Sequence, residues 1–383
     1  MKSTQETMRG IATNWVALAL SFVVTFFLSP FVVHHLGNTA YGVWTLVVSV
    51  TSYMRLLDLG LRGAVTRFVA RDQAKGNHEG ASQMVSAALW LRQWIGLLIL
   101  VLSIILAAGI NHFFNVPHEM RTAASQAIIV SGLTVVATLL SGVFAGVLAA
   151  MHRFDAISGV SVLQIIMRAL GVVWLLRSGH GILALAVLEL VIAVVPNLLL
   201  VWNCFRIYPE LRVSLRFPRQ NALREIWTHT SYIIVIHICG QIIYYTDNIV
   251  VGSCISVAAV TLFAIGGSIA EYLRQILGSI TPTFMPLASR FDATGDRDQL
   301  RRLLIQGTRL ALLAVLPVQM ALLIRGRSFI GLWMGQQYGQ VSGVVLQILL
   351  VGQIFAAANS TGHNIVLGLG KFGKAAKWGI AEA

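Results

Sequence analysis

The feature that most constrains this chain is a series of long apolar segments separated by short polar loops. Hydrophobic residues make up 56% of the 383 residues, and charged residues only 11%. A water-soluble domain usually carries about 25% charged residues, and about 20 mostly apolar residues are enough for a helix to cross a bilayer. Strands of a membrane barrel would instead alternate over about 10 residues. The sequence therefore predicts an all-α, polytopic membrane protein.

Length and hydropathy predict ten spanning helices and the start of an eleventh. They lie at residues 11–34, 42–65, 84–110, 122–150, 156–176, 181–204, 230–253, 257–286, 303–325 and 341–367, and the last begins near residue 372. The first apolar run is too long for a secretory signal and lacks a cleavage site of small residues. We therefore interpret it as a retained helix.

An internal repeat relates the two halves of the chain. The pattern R-x-x-A-x-G at residues 71–76 returns 219 residues later at 290–295, and at the same offset Arg55 falls on Arg274. Each match occupies the same place in the hydropathy pattern, which indicates a duplicated unit. Because each half would hold an even number of helices, the repeat is predicted to be parallel, about an axis along the membrane normal.

This repeat predicts two six-helix lobes. The first would span residues 1–204 and the second residues 230–383, joined by a basic cytoplasmic linker at 205–229. The copy of the sixth helix would fall beyond residue 383. We therefore expect the C-terminal lobe to be truncated at about five helices, either as a fragment or as a natural truncation.

The positions of lysine and arginine predict the orientation. With the N-terminus in the cytoplasm, most basic loop residues fall on the cytoplasmic side, and the outer loops hold only Arg121, Arg177, Arg325 and Arg327. This is the bias typical of membrane proteins. It accounts for the net charge of +13, so we predict contact with membrane lipids and none with nucleic acid.

Ionisable side chains inside the predicted helices mark candidate sites, because each costs about 2.5–3.5 kcal/mol at a helix centre on insertion scales. Arg55, Asp58 and Arg62 are spaced i, i+3 and i+7, which predicts one face of the second helix. Arg55 is favoured as functional because its repeat partner is also an arginine. The alternative is a local Arg55–Asp58 ion pair, with Arg62 reaching the inner surface.

Two further helices carry candidates of the same kind. Glu271 and Arg274 share a face of the eighth helix, where Glu271 serves either ion coupling or neutralisation of Arg274. Arg168 lies near the middle of the fifth helix, one turn after Gln164. Together, Arg55, Arg168 and Arg274 predict a cationic cavity that suits an anionic group such as a phosphate.

Asp247 is a lone acid toward the outer end of the seventh helix. Such a residue is a candidate for coupling to protons or sodium ions. The alternative is a hydrogen bond to nearby Tyr244 or Thr246. Glu189 in the sixth helix is a similar acid, but because a kink is expected at Pro196, the sequence does not predict which side of the helix Glu189 faces.

Other features are interpreted as structural or incidental. Arg92, between Trp90 and Trp94, is predicted to be an anchor at the membrane interface. The glycine pattern at 368–373 follows no predicted strand, so it does not predict a dinucleotide cofactor. His34 and His35 have no third ligand nearby, and no nucleophile–base motif is present. We therefore predict no cofactor, no metal and no enzymatic activity.

Five short motifs occur in order along the chain: LGNTAYGVW (36–44), LDLGL (57–61), RFVAR (67–71), YYTDNIVVG (244–252) and LWMG (332–335). Their order and spacing resemble the polysaccharide-biosynthesis flippases of the O-antigen (Wzx) type. These belong to a larger superfamily that includes the lipid II flippase and the multidrug and toxin extruders.

The resemblance implies a V-shaped bundle of two six-helix lobes in the bacterial inner membrane. It implies movement of undecaprenyl-diphosphate-linked oligosaccharide to the outer leaflet by alternating access, with Arg55 and Arg274 holding the pyrophosphate. Asp247 is similarly placed to an acid linked to coupling with H⁺ or Na⁺. The polysaccharide polymerase machinery is a candidate partner.

Three alternatives remain open. A cation-coupled multidrug extruder would prefer an acidic cavity, whereas the predicted interior is richer in arginine. A membrane glycosyltransferase or polymerase would need a large outer loop with catalytic residues, which the sequence lacks. A truncated, inactive relic is the third.

Overall fold

The computed structural model describes residues 2–58, 60–214, 235, 238–243 and 245–382, and its regular elements are all helical. In chain order they are α1 Lys2–Met54, α2 Leu61–Ala74, α3 His78–Phe113, α4 Arg121–Ala150, α5 Phe154–Arg177, α6 Ile182–Ile207, α7 at 238–254 (residue 244 is not described), α8 Val257–Ile280, α9 Phe284–Ala293, α10 Arg297–Met334, α11 Gln336–Gly368 and α12 Phe372–Glu382. Residues 215–229 of the predicted linker lie outside the described residues.

Within the described residues, eight helical stretches are long and apolar enough to cross a membrane. Their outward faces are apolar too: on α3, for example, Leu97, Val101, Ile104 and Ile105 are exposed. The prediction of an all-α polytopic membrane protein is confirmed. Large exposed apolar surfaces mark contact with a membrane or a partner, and together with the eight apolar stretches they identify a multi-pass membrane protein.

The boundaries differ from the prediction at the first two helices. The predicted loop at 35–41 shrinks to Gly37, whose φ of 74° breaks the geometry inside α1. The predicted second helix is not continuous: a 3₁₀ turn spans Arg55–Asp58, and α2 begins only after Gly60, which has a φ of 65°. Glycine adopts this left-handed backbone without the steric penalty of a side chain, so Gly60 permits the chain to turn here.

The chain forms two compact units, residues 1–237 and 238–383. In the first unit α4 lies at the centre and contacts each of the other five helices. One core cluster contains buried residues from α2, α3, α4 and α6, among them Val65, Val85, Val143 and Leu200. In the second unit α11 is central and contacts α8, α9, α10 and α12.

Close contact between α10 and α11 depends on two glycines spaced four residues apart. A Cβ atom on Gly343 would lie 2.6 Å from the Cα of Arg327, and one on Gly339 would lie 2.9 Å from the Arg327 carbonyl oxygen. Small residues at this spacing let two membrane helices approach at the backbone. The α10–α11 hairpin therefore has no space for a side chain at either position.

Local geometry repeats at the 219-residue offset. Gly76 and Gly295 both have left-handed backbone, with φ of 69° and 68°. The next residues, Asn77 and Asp296, cap α3 and α10 by accepting hydrogen bonds from the backbone N–H three residues later, at 2.9 and 3.0 Å. The same local geometry therefore occurs at both positions of the predicted repeat. The arrangement of two lobes about a parallel axis remains a prediction.

Candidate functional site

A cavity of about 870 Å³ lies inside the second unit, between α7, α8 and α11. This volume is within the range of small-molecule sites, about 300–1,000 Å³. Apolar side chains such as Phe263, Leu349 and Phe355 form part of its wall. The polar lining consists of Tyr245, Asp247, Asn248, Ser268, Glu271, Arg274, Gln275, Gln353 and Asn359.

The cavity brings together three residues that the sequence singled out: Asp247, Glu271 and Arg274. Glu271 and Arg274 lie one turn apart on α8, and Arg274 donates a hydrogen bond from Nη2 to Glu271 Oε2. Gln275 Nε2 donates to the other carboxylate oxygen at 3.0 Å. The pairing agrees with the interpretation of Glu271 as a neutraliser of Arg274.

Asp247 makes no hydrogen bond or ion pair with any described residue, so the alternative bond to Thr246 is not formed. Tyr244, the other alternative, lies outside the described residues. Among the described residues that line the cavity, the acidic and basic side chains are two carboxyl groups and one guanidinium. In their charged forms these three groups leave one net negative charge, so the described lining of this cavity is not cationic.

Gln353 presents an amide whose orientation is fixed. Its Nε2 donates to the carbonyl oxygen of Ala270 at 2.7 Å, and because a carbonyl only accepts, the other amide atom must be the oxygen. That oxygen, Oε1, is buried and accepts no hydrogen bond from the described part of the chain. A buried acceptor of this kind favours a ligand that carries hydroxyl or N–H donors.

The predicted site residues of the first unit lie at the helix break. Arg55 and Asp58 are the first and last residues of the 3₁₀ turn, and Arg62 lies beyond it in α2. The prediction that all three share one face of a continuous helix is wrong, because the helix stops at Met54. Arg55 is exposed and makes no ion pair with the described residues.

Asp58 pairs with Arg92 rather than with Arg55. Arg92 Nη2 donates to Asp58 Oδ1, and the Arg92 side chain is only 1% exposed. The prediction that Arg92 anchors the chain at the membrane interface is wrong, since Arg92 is packed inside the first unit. A Cβ on Gly142 of α4 would lie 2.7 Å from Arg92 Nη1, so glycine at that position makes room for the guanidinium.

Arg168 is also paired. Its Nε and Nη2 donate to the two carboxylate oxygens of Glu189, both at 2.6 Å, across α5 and α6. Bidentate pairs of this kind are strong and well oriented. The proposed role of Arg168 in substrate binding remains a prediction, but in this structure its charge is balanced.

The sequence does not predict three features of these sites: Arg92 as the partner of Asp58, Glu189 as the partner of Arg168, and Gln353 as a polar residue of the cavity. The two ion pairs join residues 34 and 21 positions apart, so no helical spacing connects them. The sequence does mark Glu189 as an acidic residue inside a predicted membrane helix. It does not mark Gln353, because an amide side chain is uncharged and is not unusual in an apolar helix.

The family of polysaccharide biosynthesis proteins matches residues 32–343 of this chain. The chain belongs to this family. The resemblance inferred from the five short motifs is therefore confirmed. The match runs from α1 into α11 and so includes both units of this polysaccharide biosynthesis protein.

Two curated relatives are similar over most of the chain. The "Uncharacterized membrane protein EpsK" of Bacillus subtilis is 24% identical over 347 residues, which cover 87% of this chain and 66% of the relative. A Shigella flexneri protein described as a candidate O-antigen transporter is 19% identical, over 89% of this chain and 80% of the relative. The chain thus spans just under two thirds of the length of EpsK.

Solved structures show the fold. An inward-facing MATE-family multidrug transporter of the MOP superfamily matches 95% of this chain and 86% of its own, with a TM-score of 0.77 and 17% identity. A MOP-superfamily transporter from Pyrococcus furiosus matches 99% and 87%, with a TM-score of 0.71 and 15% identity. The polysaccharide biosynthesis protein therefore has the fold of MATE transporters.

Proposed function

We propose that this protein moves a lipid-linked oligosaccharide, carried on undecaprenyl diphosphate, across the bacterial inner membrane by alternating access. Membership of the polysaccharide biosynthesis family and the likeness to transporters support this proposal. The protein acts as a transporter and not as an enzyme. The observation that carries the proposal is the polar cavity of the second unit, which lies between helices that are otherwise largely apolar.

The chemistry of this cavity suits the sugar portion of such a substrate. Gln353 Oε1 and the carboxylate of Asp247 accept hydrogen bonds and lack partners among the described residues. Sugar hydroxyls donate such bonds, and Phe263 and Phe355 offer apolar surface to the sugar ring. A diphosphate is disfavoured as long as Glu271 and Asp247 are both charged.

We assign the diphosphate to arginine. Arg55 of the first unit is exposed and has no carboxylate partner among the described residues, so its charge is available. Arg274 is retained as a second contact, but a phosphate would have to displace Glu271 from it. Asp247 is proposed to carry the coupling ion, H⁺ or Na⁺. The polymerase machinery remains a proposed partner.

The effect of one substitution on substrate binding shows whether Arg274 holds the diphosphate or Glu271 accepts hydrogen bonds from the sugar. Glu271→Gln removes the competing charge and keeps the shape of the side chain. If Arg274 holds the diphosphate, this change should tighten binding of undecaprenyl diphosphate. If Glu271 instead accepts bonds from sugar, the change should weaken binding of the complete lipid-linked oligosaccharide and leave the sugar-free lipid unaffected.

Transport is tested with the purified protein in liposomes that contain undecaprenyl-diphosphate-linked oligosaccharide with a fluorescent sugar label. A reductant that cannot cross the membrane bleaches the label in the outer leaflet, and a working protein should make the inner-leaflet label accessible as well. Gln353→Leu should slow this exchange. The matched control is Gln347→Leu, because Gln347 makes a similar bond to the Leu323 carbonyl at 2.6 Å but does not line the cavity.

One observation favours a second candidate, the cation-coupled multidrug extruder. The net negative charge of the cavity suits a cationic drug, and the structural relatives include multidrug transporters. The same liposomes, loaded with a lipophilic cation such as tetraphenylphosphonium, decide between the two. Gradient-driven movement of the cation with no exchange of the labelled lipid would establish the extruder and reject the flippase.

A further inference from the structure

The first unit carries a buried ion pair where the second unit carries an apolar contact. At the 219-residue offset, Asp58 corresponds to Leu277 and Arg92 to Ala311. Leu277 and Ala311 are buried in the same hydrophobic cluster of the second unit. Under the predicted repeat, the fold therefore accepts apolar residues at both positions, whereas the first unit holds the Asp58–Arg92 ion pair there.

This pair is a poor way to stabilise the fold. Among the described residues, Arg92 Nε and Nη1 are buried without a partner, and only Nη2 reaches a carboxylate. Replacing a buried ion pair by well-packed apolar residues is often neutral or stabilising, and the second unit shows that arrangement. The guanidinium also requires Gly142, whereas the corresponding position of the second unit holds Thr361. These observations favour a role for Arg92 other than stability.

The 3₁₀ turn indicates what that role is. Side chains three residues apart eclipse each other in a 3₁₀ helix, so Asp58 is the natural partner of Arg55. In the second unit, Glu271 and Arg274 have the same separation and do pair. Arg55 makes no ion pair with the described residues, whereas the carboxylate of Asp58 is paired with Arg92.

We propose that Arg92 is a positioning residue that holds Asp58 away from Arg55 and so keeps the charge of Arg55 available for an anionic ligand. This inference rests on the proposed function, in which Arg55 contacts the diphosphate. It assigns to Arg92 a contribution to anion binding without contact with the anion.

Two substitutions that break the same ion pair test the proposal. Arg92→Ala releases Asp58, which should then pair with Arg55. Asp58→Asn also breaks the pair, but it leaves no carboxylate to neutralise Arg55. If the ion pair is purely structural, both substitutions should change anion binding equally. The proposal instead expects only Arg92→Ala to weaken anion binding. The expected loss is about two- to fivefold, the strength of an ordinary exposed ion pair between Asp58 and Arg55.

The first readout is binding of inorganic pyrophosphate to the purified protein. The second is modification of arginine by phenylglyoxal, quantified by peptide mass spectrometry with exposed Arg177, at the far end of α5, as the internal reference. Arg92→Ala should protect Arg55 from modification, Asp58→Asn should not, and Arg92→Lys should behave as wild type because a cation still holds Asp58. In an Arg55→Ala background, Arg92→Ala should cause no further loss of pyrophosphate binding.

If Arg92→Ala does not fold, adding Gly142→Thr fills the vacated space with the residue that the second unit uses. Equal Arg55 modification in the Arg92→Ala and Asp58→Asn proteins would overturn the proposal. Failure of the proposed function is distinguishable, because a protein that does not exchange the lipid-linked oligosaccharide can still show the protection of Arg55. The modification readout also decides the matter if pyrophosphate does not bind.

Discussion

The ion pair between Arg168 and Glu189 makes a prediction that tests whether Arg168 contacts substrate. Arg168→Gln removes both hydrogen bonds, each 2.6 Å long, and leaves Glu189 without its cation inside a membrane helix. An unpaired charge at a helix centre costs about 2.5–3.5 kcal/mol on insertion scales. Because 43% of the Arg168 side chain and 26% of the Glu189 side chain are exposed, we take the lower end, about 2.5 kcal/mol or roughly 60-fold in the folding equilibrium.

Glu189→Gln should cost a similar amount, since it leaves the guanidinium without a carboxylate. The double variant Arg168→Gln/Glu189→Gln has no charge at the site and should recover most of the stability. Arg153→Gln is the matched control at the start of the same helix. Arg153 also forms a bidentate pair, with Asp155 at 2.9 and 3.0 Å, but both side chains are 44% exposed, so the expected cost is only about 0–1 kcal/mol.

Membrane abundance and thermal unfolding in detergent measure these costs, and the liposome exchange assay measures function at equal protein abundance. Exchange retained by the double variant would assign Arg168 to structure alone. Exchange lost by the double variant at normal stability would support substrate binding. If Arg168→Gln is as stable as Arg153→Gln, the expected cost of about 2.5 kcal/mol for leaving Glu189 unpaired is refuted.

Two further predictions concern the second unit. Gly343→Ala should destabilise the protein by about 1–3 kcal/mol through overpacking against α10, whereas Gly362→Ala in the same helix, where the nearest neighbour of a Cβ is 3.8 Å away, should lower the unfolding temperature little or raise it. Asp247→Asn should abolish exchange driven by an H⁺ or Na⁺ gradient but preserve exchange without a gradient; equal loss in both conditions would argue against ion coupling.

The helices were predictable where one physical signal dominates. Apolar length alone located α4, α5 and α6 within three residues at each end. It missed the break at Arg55–Asp58, because the turn lies inside an apolar stretch and depends on the left-handed backbone of Gly60. A mean hydropathy taken over about 20 residues changes little when one of them is a glycine, so it does not reveal the turn. Helix spacing likewise found the Glu271–Arg274 pair, which is local, and missed pairs made between helices.

The repeat explains which part of the candidate site the sequence could reveal. It made Arg55 and Arg274 equivalent in position, and the structure shows that their surroundings differ. Arg274 lies in the continuous helix α8 beside Glu271, whereas the residue that corresponds to Glu271 in the first unit is Ser52. The two arginines occupy equivalent positions of the predicted repeat, but Arg274 pairs with its neighbour Glu271, whereas Asp58, the acid nearest to Arg55 in sequence, pairs with Arg92. We therefore expect the specificity of the proposed transport to depend on the difference in charge between the two units more than on the shared fold.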